Sequence, residues 1–147
     1  MIAAIVLILA VAAVVFLAGA WYLHRVWVSP ARASLRQYET TAHFGGETYE
    51  VLFTPYRPAI FVHDPVRENY SLVLNKEGFG LKVSFPTSLY SRHRPLFFPW
   101  ENVESIDRIL LTNLLLLVEG RPEPFYLYAG VKPALRMLEE WQRQKNQ

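Results

Sequence analysis

The sequence predicts an N-terminal transmembrane helix plus a mostly β domain, in which an antiparallel split barrel or curled sheet is capped by a C-terminal α-helix. Three observations support this fold class. An uncharged apolar run occupies the start of the chain, alternating apolar and polar segments follow in its second half, and apolar residues recur at helical spacing near its end. We divide the 147 residues into a transmembrane anchor at 1–27, a juxtamembrane linker and irregular segment with short helix and strands at 28–69, and the β domain with its helix at 70–147.

The anchor is predicted from the stretch IAAIVLILAVAAVVFLAGAWYL, which runs from Ile2 to Leu23 without a charge. At a rise of about 1.5 Å per residue this helix spans roughly 33 Å, which matches a bilayer core. Trp21 and Tyr22 fall where an aromatic belt would meet the interface. The alternative is a cleaved signal peptide with Ala18-Gly19-Ala20 at the cleavage site, but a basic n-region is missing and the apolar run is too long.

The orientation follows from the charges beside the anchor. Arg25, Arg32 and Arg36 follow the helix before the first acid, Glu39, whereas Met1 alone precedes it. The positive-inside rule therefore predicts that the C-terminal domain faces the cytoplasm. The chain has no cysteine, which agrees with a reducing compartment.

Two hairpins are predicted by alternation and turn residues. The first joins a strand at Tyr70–Leu74 to a strand at Phe79–Phe85 through a turn at 76–78, and the second joins Leu114–Val118 to Phe125–Tyr128. Short strands are also expected in the irregular segment, at Val51–Thr54 and Ile60–Val62.

The stretch RPLFFPWENVESI allows two interpretations. The favoured one is a strand that ends at Pro99, a tight turn over residues 100–103 that buries Trp100, and a further strand at Glu104–Leu111, because proline cannot donate to a sheet ladder. The alternative is a short helix over residues 100–107, with Pro99 at its start.

A C-terminal helix is predicted by apolar residues spaced four, three and three apart. These residues, Val131, Leu135, Leu138 and Trp141, are expected to form the face that covers the open end of the curled sheet.

The segments NYSLVLNKEGFGLKV and HRPLFFPWENVESI carry a family resemblance. They resemble small uncharacterised bacterial single-pass membrane proteins with a pleckstrin-homology-like (GRAM-like) domain. Their pattern, His-x-Pro-Leu-x-x-Pro-Trp-x-x-Ile, is met by His93, Pro95-Leu96 and Pro99-Trp100, while Val103 stands in place of isoleucine. The resemblance covers residues 70–106 and implies a pleckstrin-homology-like barrel at a bacterial inner membrane, without a known activity.

The sequence gives little support for catalysis, and we expect no catalytic residues, no cofactor and no metal site. The four histidines lack metal-ligand spacing, and phosphate-loop and nucleophile-elbow motifs are absent. His63-Asp64 beside Pro65 is best explained as an exposed turn. The acidic residues Glu101, Glu104 and Asp107 are explained by a solvated surface.

Binding is the favoured function class. Arg92, His93 and Arg94 form a basic tip between strands, and Arg25, Arg32 and Arg36 form a basic collar beside the membrane. We expect a non-catalytic, membrane-anchored cytoplasmic module that binds a protein partner or an anionic lipid headgroup. Nucleic acid is an unattractive partner at a net charge of +2. The alternative is an accessory subunit or small enzyme with a site assembled by loops.

Overall fold

A computed structural model of the chain describes residues 1–23, 25, 32–54, 68–89 and 93–147. These residues form two compact units, Met1–Ala33 and Ser34–Gln147. The first unit is dominated by helix α1, Ile2–Leu23, whose 22 residues carry no charge. By its length and composition this helix could cross a membrane.

The second unit is a seven-stranded antiparallel sheet, curled into a half-barrel, with a C-terminal helix. The strand order is β4-β3-β2-β1-β7-β6-β5. Both halves of the sheet are therefore simple meanders, and β1 joins them by pairing with β2 and with β7. The elements are β1 (Glu47–Thr54), β2 (Glu68–Leu74), β3 (Gly78–Val83), β4 (Leu96–Pro99), β5 (Val103–Arg108), β6 (Asn113–Val118), β7 (Phe125–Tyr128) and α2 (Val131–Lys145).

The compact unit begins earlier than the boundary at residue 70 that the sequence suggests. Leu35 and Tyr38 are buried in the core, and β1 lies in the middle of the sheet. The predicted strand at Val51–Thr54 is the second half of β1. The predicted strand at Ile60–Val62 lies outside the described residues, as does the His63-Asp64 pair.

Both predicted hairpins are present. In the first, Leu72 pairs with Leu81, and the Asn75 side chain fixes the turn because its Oδ1 accepts the amides of Glu77 and Gly78 at 2.9 and 3.0 Å. However, β3 ends at Val83, so the prediction that Phe85 continues the buried alternation is wrong. In the second hairpin, β6 and β7 pair in the expected segments.

The Pro99–Trp100 segment follows the favoured interpretation. Strand β4 ends at Pro99, one 3-10 turn covers Trp100–Asn102, and β5 begins at Val103. A helix over residues 100–107 is therefore wrong. The strand ends at Arg108, three residues before the predicted Leu111.

The buried face of helix α2 shares Leu138 and Trp141 with the predicted face, but not Val131 and Leu135. Ala134 and Met137 are fully buried, whereas Val131 and Leu135 are 48% and 42% exposed. Leu138 and Trp141 pack partly against the core, and the Trp141 indole donates to the Val103 carbonyl at 3.3 Å. The buried face is thus centred on Ala134 and Met137, and Leu135 lies beside it on the exposed side.

Candidate functional site

The sequence-predicted binding residues are spread over both units. Arg92 lies outside the described residues. Arg25 and Arg32 belong to the first unit, while Arg36 opens a 3-10 turn in the second. Arg25 places its guanidinium 5.2 Å from the centre of the Trp21 ring. His93 and Arg94 come together in the second unit, immediately before β4.

These two residues end the connection between β3 and β4, whose first half is held by buried hydrogen bonds. The fully buried Thr87 accepts the amide of Asn69 through its Oγ1 at 2.7 Å. The amide of Ser84 donates to the Asn69 carbonyl at 2.9 Å, and the amide of Ser88 donates to the Ser84 carbonyl at 2.8 Å. The loop is thereby fastened to the start of β2.

The fastened loop displays two large apolar side chains. Phe85 is 73% exposed and Leu89 is 74% exposed. Sequence reasoning missed both, because Phe85 continues the alternation of β3 beyond the last paired residue. Both side chains lie in the stretch 84–89, where the hydrogen bonds of Thr87 and Ser84 fix the backbone on either side of Phe85.

The ionisable side chains beside this loop are those of His93, Arg94 and Glu68. His93 Nε2 lies 3.8 Å from Glu68 Oε1, and the Tyr70 hydroxyl donates to Glu68 Oε2 at 3.0 Å. Glu68 therefore lies beside His93, whereas Arg94 is exposed to solvent. We call Phe85, Leu89, His93 and Arg94 together the loop surface.

A separate cleft lies beside the edge strand β4. Its volume is about 230 Å³ and it is lined by Gln37, Tyr38, Glu39, Thr40, Phe97, Pro99 and Asn102. The Tyr38 hydroxyl donates to the Glu119 carbonyl at 2.6 Å. Burial and the negative charge of Glu119 raise the pKa of Tyr38 above its ordinary value, which keeps the phenol neutral. The cleft is smaller than typical small-molecule pockets of about 300–1,000 Å³, and its tyrosine serves a structural hydrogen bond.

The acidic residues considered from the sequence do not converge on that cleft. Glu101, Glu104 and Asp107 are exposed, as expected for a solvated surface. Among the residues that the structure describes, no group of three or more histidine, cysteine, aspartate or glutamate side chains could hold a metal ion.

Comparison with protein-family models and with curated proteins finds no match to this chain. The loop surface combines exposed aromatic and aliphatic side chains with a histidine and an exposed arginine, a composition suited to the boundary between water and an anionic lipid layer.

Proposed function

We propose that this chain is a single-pass bacterial inner-membrane protein whose cytoplasmic, pleckstrin-homology-like unit is a non-catalytic module that binds anionic lipid headgroups through the loop surface. The observation that carries the proposal is the exposure of Phe85 and Leu89 on an ordered loop beside Arg94, in a chain whose first helix is fit to span a bilayer.

The anchor supports the membrane location. Helix α1 presents apolar side chains on all sides, and such a helix is stable in lipid, where all its backbone groups are satisfied internally. The cations Arg25, Arg32 and Arg36 follow it within the chain, which favours a cytoplasmic C-terminal unit and adds attraction to an anionic leaflet.

The fold supports the comparison with pleckstrin-homology-like domains. Two antiparallel meanders share one curled sheet, and a single C-terminal amphipathic helix packs against its core. This arrangement agrees with the barrel that the resemblance of residues 70–106 implies, and it extends the agreement to β1 and to β5–β7.

A weak lipid contact is sufficient for an anchored protein. Full burial of a phenylalanine or leucine side chain contributes about 1.5–3 kcal/mol, and a cation near an anionic surface contributes about 1 kcal/mol. Residues 24–33 separate α1 from the compact unit, and ten residues reach at most roughly 35 Å. The unit therefore meets the surface at a high effective concentration.

Hydrogen exchange of the full chain in lipid nanodiscs tests the proposal. Amides of residues 84–94 should exchange more slowly when phosphatidylglycerol is added to phosphatidylcholine, and Arg94→Glu should abolish this difference. Lys76→Glu makes the same charge change in an exposed turn between β2 and β3 and should leave the difference intact. Equal exchange in both lipids would overturn the proposal, and slowing that requires native membranes would favour a protein partner.

Topology is tested separately with a reporter fused after Gln147. A reporter that is active in the cytoplasm should give a signal, because the positive charges follow the anchor. Activity of a periplasm-dependent reporter instead would reverse the orientation.

A further inference from the structure

We propose that the cleft beside β4 binds the side chain of an arginine presented by a partner protein. The cleft and the loop surface consist of different residues, so this inference does not depend on the proposed lipid contact. Its ligand has a stated chemistry, a flat guanidinium on an aliphatic stem.

The cleft lies along the outer edge of β4, where the backbone has few donors. Trp100 donates its amide to the Glu77 carbonyl at 3.1 Å. Because hydrogen-bonded pairs alternate along an antiparallel ladder, the backbone groups of Phe97 and Pro99 point away from β3. A bridge from Glu39 covers the start of this edge. Pro99 has no N–H, so the end of the edge can accept hydrogen bonds but donate none.

The side chains of the cleft add further acceptors. Gln37 donates its Nε2 amide to the Glu119 carbonyl at 2.8 Å, which leaves its Oε1 to accept. Glu39 adds a carboxylate that is exposed and takes part in none of the ion pairs of the described residues. Arginine and lysine are the charged side chains that only donate hydrogen bonds, so they complement this set.

The charges around the cleft also favour a cation. Glu39 lines it, and the Tyr38 hydroxyl donates to the carbonyl of Glu119. Burial raises the pKa of Tyr38, and the negative charges of Glu119 and then of Glu104 raise it further. Glu104 does not line the cleft, but its charge thus acts on the tyrosine that does. Arg36 precedes these residues in the chain, and it is exposed and forms no ion pair with Glu39.

The apolar walls and the size of the cleft select arginine. Phe97 and Pro99 line it, and the Phe97 ring lies 5.3 Å from the ring of Phe44. A guanidinium stacks on aromatic rings, and its aliphatic stem is covered by apolar contacts. The cleft of about 230 Å³ is smaller than the pockets of about 300–1,000 Å³ that enclose whole small molecules. It therefore suits one side chain of a protein better than a free metabolite.

Amide chemical shifts of the full chain in phosphatidylcholine nanodiscs test the inference. The probe is a peptide with blocked ends and one arginine between two alanines, and it should shift the amides of residues 37–40 and 97. Its citrulline counterpart, which keeps the shape but lacks the charge, should not. Glu39→Gln should weaken binding about tenfold, the loss expected when a hydrogen bond to a charged group is removed. Glu101→Gln changes an exposed acid that does not line the cleft, and it should weaken binding much less because solvent screens that charge.

Three results would overturn the inference. Equal shifts from the arginine and citrulline peptides would show that the positive charge is not recognised. Equal losses from Glu39→Gln and Glu101→Gln would mean general attraction to an acidic surface. Free arginine carries its own carboxylate into this acidic cleft, so it should bind more weakly than the blocked peptide, and equal or tighter binding would replace the partner protein by a small metabolite. The lipid contact of the loop surface is unaffected by any of these results, because hydrogen exchange tests it separately.

Discussion

The two chain reversals that flank β5 place apolar side chains in opposite environments. Between β4 and β5, Trp100 is 3% exposed, and its indole donates to the Asn75 carbonyl at 3.0 Å. Between β5 and β6, Leu110 is 63% exposed. The reversal between β4 and β5 thus contributes a side chain to the core, whereas the reversal between β5 and β6 exposes its leucine to solvent.

The difference teaches which apolar residues serve folding and which are available for binding. The Trp100 ring lies 5.6 Å from that of Phe79, which stacks on Phe98 at 4.8 Å. In the reversal between β5 and β6, by contrast, a backbone hydrogen bond from Ile109 to Asn113 closes the hairpin. The exposed side chains of Leu110 and Leu111 are therefore not needed to form it. Substitutions on the two sides of β5 should therefore differ strongly in their effect on the free energy of unfolding.

The largest effect is expected at the buried reversal. Trp100→Ala removes a core side chain and leaves the Asn75 carbonyl without its indole donor, so it should lower the free energy of unfolding by about 3–5 kcal/mol. Denaturant unfolding of the full chain in detergent, followed by circular dichroism, measures the loss. Leu110→Ala is the matched control and should unfold near the parent midpoint. A Trp100→Ala variant that also unfolds there would contradict the burial.

A smaller loss is expected from crowding the same half of the sheet. A Cβ on Gly80 would overlap the ring of Phe44, which covers this glycine, whereas a Cβ on Gly45 meets open space. Gly80→Ala should therefore cost about 1–3 kcal/mol, because Phe44 must move away from a packed position. Gly45→Ala is the control, and equal unfolding midpoints for the two variants would show that Phe44 yields without cost.

The buried reversal between β4 and β5 could be predicted from the sequence. Pro99 cannot donate to a ladder, and a tryptophan directly after it has a large apolar surface to bury, so the strand end and the buried indole follow from residue chemistry. The two hairpins follow from alternation combined with turn residues. The position of the C-terminal helix follows from the spacing of its apolar residues. Its buried face was predicted only in part, because Leu135 is more hydrophobic than Ala134 and so is the stronger candidate for the core in the sequence.

The exposed apolar residues after β3 and β5 could not be predicted from the sequence. Alternation continues through Phe85 and a strand-like composition continues through Leu111, although pairing stops at Val83 and Arg108. Where a strand ends depends on its partners, which are distant in sequence. The loop surface was consequently predicted from its charges alone, as Arg92, His93 and Arg94, and its apolar half emerged from the structure.

Replacing the exposed leucines between β5 and β6 should change stability little. Leu110→Ser with Leu111→Ser replaces two exposed side chains, so the free energy of unfolding should stay within about 0.5 kcal/mol of the parent. The same unfolding assay in detergent measures it. A loss comparable to that of Trp100→Ala would place these leucines in the core and remove the contrast between the two reversals.

The smallest effect is expected from an exposed ion pair that ties α2 to β1. Glu47 Oε2 accepts from Arg136 Nε at 3.1 Å, and this hydrogen bond lowers the pKa of Glu47 below its ordinary value. A carboxyl whose pKa is lower in the folded state stabilises the fold above its unfolded pKa, and the contribution disappears as the pH falls through the folded pKa. Glu47→Gln should therefore lower the unfolding midpoint slightly at neutral pH and leave it unchanged in acid, where both proteins lack the charge. Because Glu47 is exposed and Arg136 is only partly buried, added salt should also shrink the neutral-pH difference. Glu50→Gln, on the same strand but without an arginine partner among the ion pairs of the described residues, is the control. A difference between Glu47→Gln and the parent that is the same at neutral and acid pH would mean that packing, and not the charge of Glu47, holds the start of β1 to the helix.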